Sequence, residues 1–449
     1  MENPVCPLDF RYGRKEIKDV FGETSKLQYL LEVEAALARA HATVGNISKK
    51  AADEISKKAS VKYVTVKRVN EIERETRHDI MAVTKALSEA CKGDAGKYVH
   101  LGATSYDIVD TANALQFAAA TNLLKAQLRE LRGTLVGLAK EYKNTIMAGR
   151  THGQYSIPIT FGLKMAVYAM EVDRHLERLH ECTSRLLVGK MSGAVGSGAA
   201  MGKHALKIQE LVMTTLKLGT EEAATQIVGR DRYIELVSVL ANIASSMEKF
   251  ATEIRNLQRS EIGEVSEAFE AKKQVGSSTM PQKRNPILCE QICGLARVVR
   301  SFIIPAYENA IQWHERDLCN SSSERFILPH SLIMTDWIVF QMNKVFKTLQ
   351  VYPERMRENL ENSKGLPMAE AVMTKLVEKG MGRGDAHELL RTCSLKAVSD
   401  DRQLLSVLLE NPKVVHLLKK KDLEEVMNPR NYLGVSHKIV DQVGKKLTR

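Results

Sequence analysis

The chain has 449 residues, 44% hydrophobic and only 5% aromatic, with a formal charge of +11 from 65 basic and 54 acidic side chains. Such a length buries a large core in two or three domains, and such a composition argues against disorder and for helices over sheets. The charges are interspersed: Lys419-Lys420-Lys421 is followed at once by Asp422, Glu424 and Glu425, which argues against a nucleic-acid stripe. A basic balance does help to draw in a small polyanion. Seven cysteines (Cys6, Cys91, Cys182, Cys289, Cys293, Cys319 and Cys393) form no CxxC pair. The opening residues include Pro4, Pro7 and Asp9 rather than an apolar run, and no apolar stretch of about twenty residues follows. The expectation is a reduced, cytoplasmic enzyme without a membrane partner.

Residues 1–103 read as short helices and loops. Arg11 and Tyr12 lie in a polar opening segment, residues 25–45 read as a helix closed by Gly45, and residues 66–91 as another that carries Arg77-His78-Asp79. Thr104 or Ser105 then caps a long helix, with Asp107 in its favourable first turn. Leu124, Leu128, Leu131, Leu135, Leu138 and Tyr142 step by four and three, a heptad seam. Gly149-Arg150-Thr151-His152-Gly153-Gln154 breaks that helix, and Pro158 marks the next start. Met165, Ala169, Val172, Leu176, Leu179 and Leu186 repeat the seam before a glycine-rich break at 189–202. That break lacks the ending of a phosphate-binding P-loop.

No Gly or Pro occurs between Gly229 and Gly263, and Leu236, Leu240, Ile243, Met247, Phe250, Ile254 and Leu257 again step by four and three. Helices at 287–312, disturbed by Pro305, and at 330–351 complete five long helices. A long seam cannot bury itself, so a bundle is expected, continuing into other subunits. The predicted division is 1–103, 104–352 and 353–449, the last made of shorter helices.

Between the third and fourth long helices lies Gly276-Ser277-Ser278-Thr279-Met280-Pro281-Gln282-Lys283-Arg284-Asn285-Pro286. Glycine, hydroxyls, two cations, two amides and two prolines make a loop that docks onto a helix start and offers donors and positive charge to an anion. His152 carries the side chain best able to move protons near neutral pH. Arg77-His78-Asp79 and Trp313-His314-Glu315-Arg316-Asp317, with Ser321-Ser322-Ser323-Glu324-Arg325 beyond, add further polar clusters.

Together these stretches resemble the fumarase/aspartase superfamily of lyases, and the Lys283-Arg284-Asn285-Pro286 ending is most similar to its adenylosuccinate lyase branch. The resemblance spans roughly residues 8–435. It implies an all-α, three-domain fold around a long-helix bundle. It also implies a homotetramer whose active sites are each built from three chains, with no metal and no cofactor. The implied reaction is β-elimination of fumarate from adenylosuccinate, giving AMP, and from the matching imidazole-carboxamide intermediate of purine synthesis.

Carried over residue by residue, Ser277 is the base and His152 the acid toward the departing nitrogen. His78 supports His152 or meets the succinyl carboxylate, with Arg77 and Asp79 beside it. Thr104, Ser105, Ser278, Lys283, Arg284 and Asn285 hold carboxylates or the carbanion they stabilise. Arg316, Ser321, Ser322 and Arg325 bind the nucleotide, with Arg11 and Tyr12, because arginine's planar fork suits phosphate. Gln226 and Gln291 contact substrate. Gln282 stands where histidine or tyrosine is usual in that branch, and Pro281-Gln282-Lys283 is more similar to argininosuccinate lyase, the alternative.

Overall fold

The computed structural model describes residues 4–268, 280 and 282–448. The architecture is all-α. Among the described residues the strands form only three two-stranded sheets. Among the described residues four helices exceed 25 residues: Ser105–Glu141, Phe161–Leu186, Asp231–Leu257 and Cys319–Lys347. Their seams are apolar as the heptads require. Leu124, Leu128, Leu131 and Leu135 are fully buried, as are Leu236, Leu240, Ile243, Met247, Phe250 and Ile254. Among the described residues, no helix is long and apolar enough to cross a membrane.

The chain forms two compact units. The first comprises Met1–Leu128, His175–Met247 and Gly294–Phe340; the second comprises Arg129–Arg174, Glu248–Cys293 and Gln341–Arg449. In the first, Glu23–Thr43, Lys49–Lys58 and Asp79–Ala90 pack an aliphatic cluster around Leu31, Val33, Leu37, Ile55 and Leu87. Phe117 meets Tyr233 edge-on at 5.2 Å and joins two long helices. In the second, Tyr168 stacks on Phe250 at 4.2 Å, and Phe346 lies 6.3 Å from Phe250. A separate aliphatic cluster around Val372, Leu376, Leu404 and Leu423 holds the short C-terminal helices.

Four local expectations are corrected. Residues 66–91 are two helices, Val66–Thr76 and Asp79–Ala90. Arg77 takes a left-handed φ of 52° that ends the first, and His78 caps the second, its ring accepting from the Met81 amide. Residues 146–160 are not a helix start at Pro158. They form an antiparallel hairpin, Ile146–Thr151 with Gln154–Thr160, and Pro158 pairs opposite Ala148. The last long helix begins at Cys319 rather than residue 330, because Asp317 accepts from the Cys319 amide at 2.8 Å; Pro329 lies inside it. The helix expected over 287–312 is likewise two, Ile287–Ser301 and Ile303–Glu308.

Candidate active site

In the first unit the starts of the Ser105–Glu141 and Cys319–Lys347 helices meet. Tyr106 Oη donates to Ser321 Oγ at 3.1 Å. The Arg316 guanidinium lies over the Tyr106 ring, 3.5 Å from its centroid. Arg316 Nη1 donates to Gln226 Oε1 at 2.8 Å, and Gln226 Nε2 donates to the Ala194 carbonyl. Arg316 Nε and Nη2 are buried with no hydrogen-bond partner among the described residues. Two buried donors without protein acceptors are costly, unless a ligand or ordered water supplies the oxygens.

Arg325 Nη2 donates to Asp79 Oδ2 at 2.7 Å, which ties the fourth long helix to the start of Asp79–Ala90. The neighbouring His78 ring accepts at Nδ1 from Met81, 3.3 Å away, which puts a neutral ring's proton on Nε2. A cavity of ≈ 320 Å³ beside them is lined by Lys26, Asp79, Tyr106, Ser321 and Arg325. Burial, and then the charge of Arg325, holds the Lys26 ammonium below its usual range. Arg77 and Ser322 are exposed. Arg11 and Tyr12 follow the short helix Pro7–Phe10, and Arg14 is clamped to Asp336 by bonds of 2.7 and 2.8 Å.

Thr104 and Ser105 are held by an ionic latch the sequence reading did not identify. The Asp107 carboxylate accepts from the amides of Thr104 (2.8 Å), Ser192 (2.9 Å) and Gly193 (3.0 Å), and from Lys190 Nζ. Both charged side chains are fully buried. The glycine-rich break is therefore pinned to a helix start. Removing the cation leaves an uncompensated buried carboxylate, so Lys190→Met is expected to cost about 3–5 kcal/mol. Thermal unfolding measures this, and a wild-type midpoint would dismiss the latch.

His152 belongs to the second unit. Thr151 pairs with Gln154, so His152 and Gly153 form the whole hairpin loop. Both have positive φ, 54° and 74°, as a tight two-residue loop requires. The imidazole is exposed at the tip. Behind it Arg150 makes a paired contact with Glu264, Nη1 to Oε2 at 2.9 Å and Nη2 to Oε1 at 2.6 Å. Glu264 is fully buried and also accepts from Asn359 at 2.9 Å. The paired, hydrogen-bonded geometry compensates the buried charge and fixes the hairpin's base.

Also in this unit, Lys283, Arg284 and Asn285 line a cleft of ≈ 850 Å³ with Gln258, Arg259 and Tyr352. Gln258 Nε2 donates to the Arg284 carbonyl at 3.0 Å, while its Oε1 accepts from the Glu267 amide. Glu267 in turn accepts from the amides of Leu288 (3.2 Å) and Cys289 (2.7 Å), filling the first turn of Ile287–Ser301. Gln291 is half-buried on that helix. Ser277 and Ser278 lie outside the described residues.

The expected site residues thus form two groups. The first unit holds the pairs Arg316–Gln226 and Arg325–Asp79, with Ser321 on Tyr106; the second holds His152 and, on its own cleft, Lys283, Arg284 and Asn285. Sequence reasoning missed Tyr106, Glu264 and Lys190 as supports. Of these contacts, only Asp107 in the first helical turn left a local signal. Arg150 and Glu264 are 114 positions apart, and no periodicity links them.

The family described as Lyase matches residues 9–301, and that described as Adenylosuccinate lyase C-terminus matches residues 365–443. An adenylosuccinate lyase of Pyrococcus horikoshii is 52% identical over 98% of this chain and 97% of its own. One of Methanocaldococcus jannaschii is 48% identical over 99% and 96%. The chain belongs to the adenylosuccinate lyase family. Among solved structures, a fumarate lyase from Mesorhizobium sp. BNC1 superposes with a TM-score of 0.90 at 34% identity, covering 98% of this chain and 100% of that one. A 3-carboxy-cis,cis-muconate lactonizing enzyme from Pseudomonas putida gives 0.89 at 33% identity, covering 98% and 99%. The adenylosuccinate lyase relatives thus span nearly the whole chain, and the expected fumarase/aspartase-like fold is the one observed.

Proposed function

We propose that this chain is a carbon–nitrogen lyase that eliminates fumarate from adenylosuccinate, releasing AMP, and from the matching imidazole-carboxamide nucleotide of purine synthesis. The observation that carries this reading is Arg316, held over the Tyr106 ring whose hydroxyl reaches Ser321 and with two buried donors unfilled among the described residues, in a chain of this family. A nucleotide phosphate supplies the oxygens that those donors lack. The match to the adenylosuccinate lyase C-terminus weighs against the argininosuccinate lyase alternative, whose substrate has no phosphate.

In this reading Ser277 takes the Cβ proton, Lys283 and Asn285 hold the carboxylate that gathers charge, and His152 protonates the nitrogen as the C–N bond breaks. His78, Arg77, Thr104, Ser105, Ser278, Arg284 and Gln291 bind or orient the succinyl half. Arg11, Tyr12, Gln226, Arg316, Ser321, Ser322 and Arg325 take the nucleotide. The enzyme works in the cytoplasm as a homotetramer with sites shared between subunits, organised as segments 1–103, 104–352 and 353–449. Incubating the purified chain with adenylosuccinate should release fumarate and AMP one for one, followed by absorbance. Failure to release fumarate overturns the reading.

A further inference from the structure

We infer that Tyr106 is a positioning residue for the nucleotide's phosphate, acting on two binding groups at once. The inference rests on the reading that Arg316, Ser321 and Arg325 receive that phosphate. Tyr106 is the second residue of the Ser105–Glu141 helix and is nine-tenths buried. Its ring carries the Arg316 guanidinium at 3.5 Å, close enough for a face-on cation–π contact. Its hydroxyl donates to Ser321 Oγ at 3.1 Å.

Each contact has a directional consequence. A guanidinium held 3.5 Å over a ring centroid has little room to tilt or withdraw, and Gln226 fixes it further by accepting from Nη1 at 2.8 Å. The two remaining donors, Nε and Nη2, are buried and unpaired among the described residues. They lie on adjacent positions of a rigid fork, the arrangement that meets two oxygens of a tetrahedral anion. Ser321, because its oxygen already accepts from Tyr106, has its own hydroxyl hydrogen left to donate. Tyr106 therefore turns a flexible arginine and a rotating hydroxyl into preset donors, and less ordering is left to be done when the phosphate arrives.

The test uses the full-length purified enzyme and reads substrate KM, kcat and the inhibition constants of AMP and of succinate. Losing the ring in Tyr106→Leu removes the Arg316 contact, a longer one to Arg230 at 5.9 Å and one hydrogen bond, so KM and the AMP inhibition constant should both rise about tenfold or more. Inhibition by succinate, which carries no phosphate, should change less than about twofold, and kcat should hold within about threefold, because binding common to ground and transition states is what is lost. Tyr106→Phe keeps the ring and the packing and loses only the hydroxyl; its AMP constant should rise about threefold. The Phe variant, checked by thermal unfolding, keeps the test sound where Leu fails to fold. Equal loss of AMP and succinate affinity, or no loss of either, overturns the inference. Arg325→Ala and Ser321→Ala run in parallel separate the two levels. If both weaken AMP while Tyr106 variants do not, the positioning role alone falls. If neither weakens AMP, the phosphate reading falls with it.

Discussion

His152→Asn is expected to lower kcat by about 10²- to 10⁴-fold, the usual contribution of a positioned general acid, while the thermal midpoint stays near wild type. The backbone dictates the choice of asparagine. Residue 152 has φ of 54°, a conformation that asparagine tolerates and alanine resists. The side chain is exposed at the loop tip and accepts no described hydrogen bond, so its removal leaves no cavity and no orphaned partner. Activity should therefore fall without stability. KM should move much less than kcat, because proton delivery to the leaving nitrogen occurs only in the transition state. Steady-state fumarate release paired with thermal unfolding reads both. A kcat within threefold of wild type removes His152 from the proton-transfer role.

Arg230→Met is expected to show the opposite pattern, a large loss of stability. Arg230 is only 2% exposed and bridges two buried carboxylates. Nη1 and Nη2 reach Asp110 at 2.8 and 3.0 Å, and Nε and Nη2 reach Glu324 at 2.7 and 3.1 Å. Methionine fills similar volume but leaves both acids without their counter-charge, at a cost of about 3–5 kcal/mol. The loss should depend on pH with a definite sign. Burial already holds the Glu324 carboxyl above its usual range, against the pull of Arg230. Without the arginine it rises further, so the folded variant binds a proton that the unfolded chain releases. Stability then falls as pH increases from the ordinary glutamate range toward the raised one. Chemical unfolding at acidic and at neutral pH measures this. A deficit that shrinks toward neutral pH contradicts the assignment.

Long apolar seams were the most legible part of the sequence. Over 236–257 every seam residue is apolar, and a helix keeps that face inward whatever its partners, which is why those positions are buried. The hairpin was illegible for a physical reason. Pro158 signals a helix start as readily as an edge position in a strand, and the pairing with Ala148 across the His152-Gly153 loop follows no apolar periodicity. The break at Arg77 was hidden because arginine seldom adopts a left-handed φ and histidine seldom caps a helix. Cys319 was missed as a start because the capping carboxylate of Asp317 precedes the helix by two residues.

For the site, residue types were legible and their supports were not. His152, Arg316 and Lys283 stand in short local motifs, whereas Tyr106–Ser321 and Arg150–Glu264 join residues more than a hundred positions apart. Such contacts exist only once helices pack. They are also what fixes geometry: a guanidinium on a ring and a hairpin anchored to a buried glutamate are rigid supports for groups that must not wander.

The most direct measurement is a crystal structure of the full-length His152→Asn variant with adenylosuccinate bound. The account predicts a succinyl group held by Lys283 and Asn285, residue 152 within hydrogen-bond reach of the departing nitrogen, and Ser277 on the opposite face beside Cβ. Electron density that places residues 152 and 277 on one face, or either of them remote from the C–N bond, would contradict it.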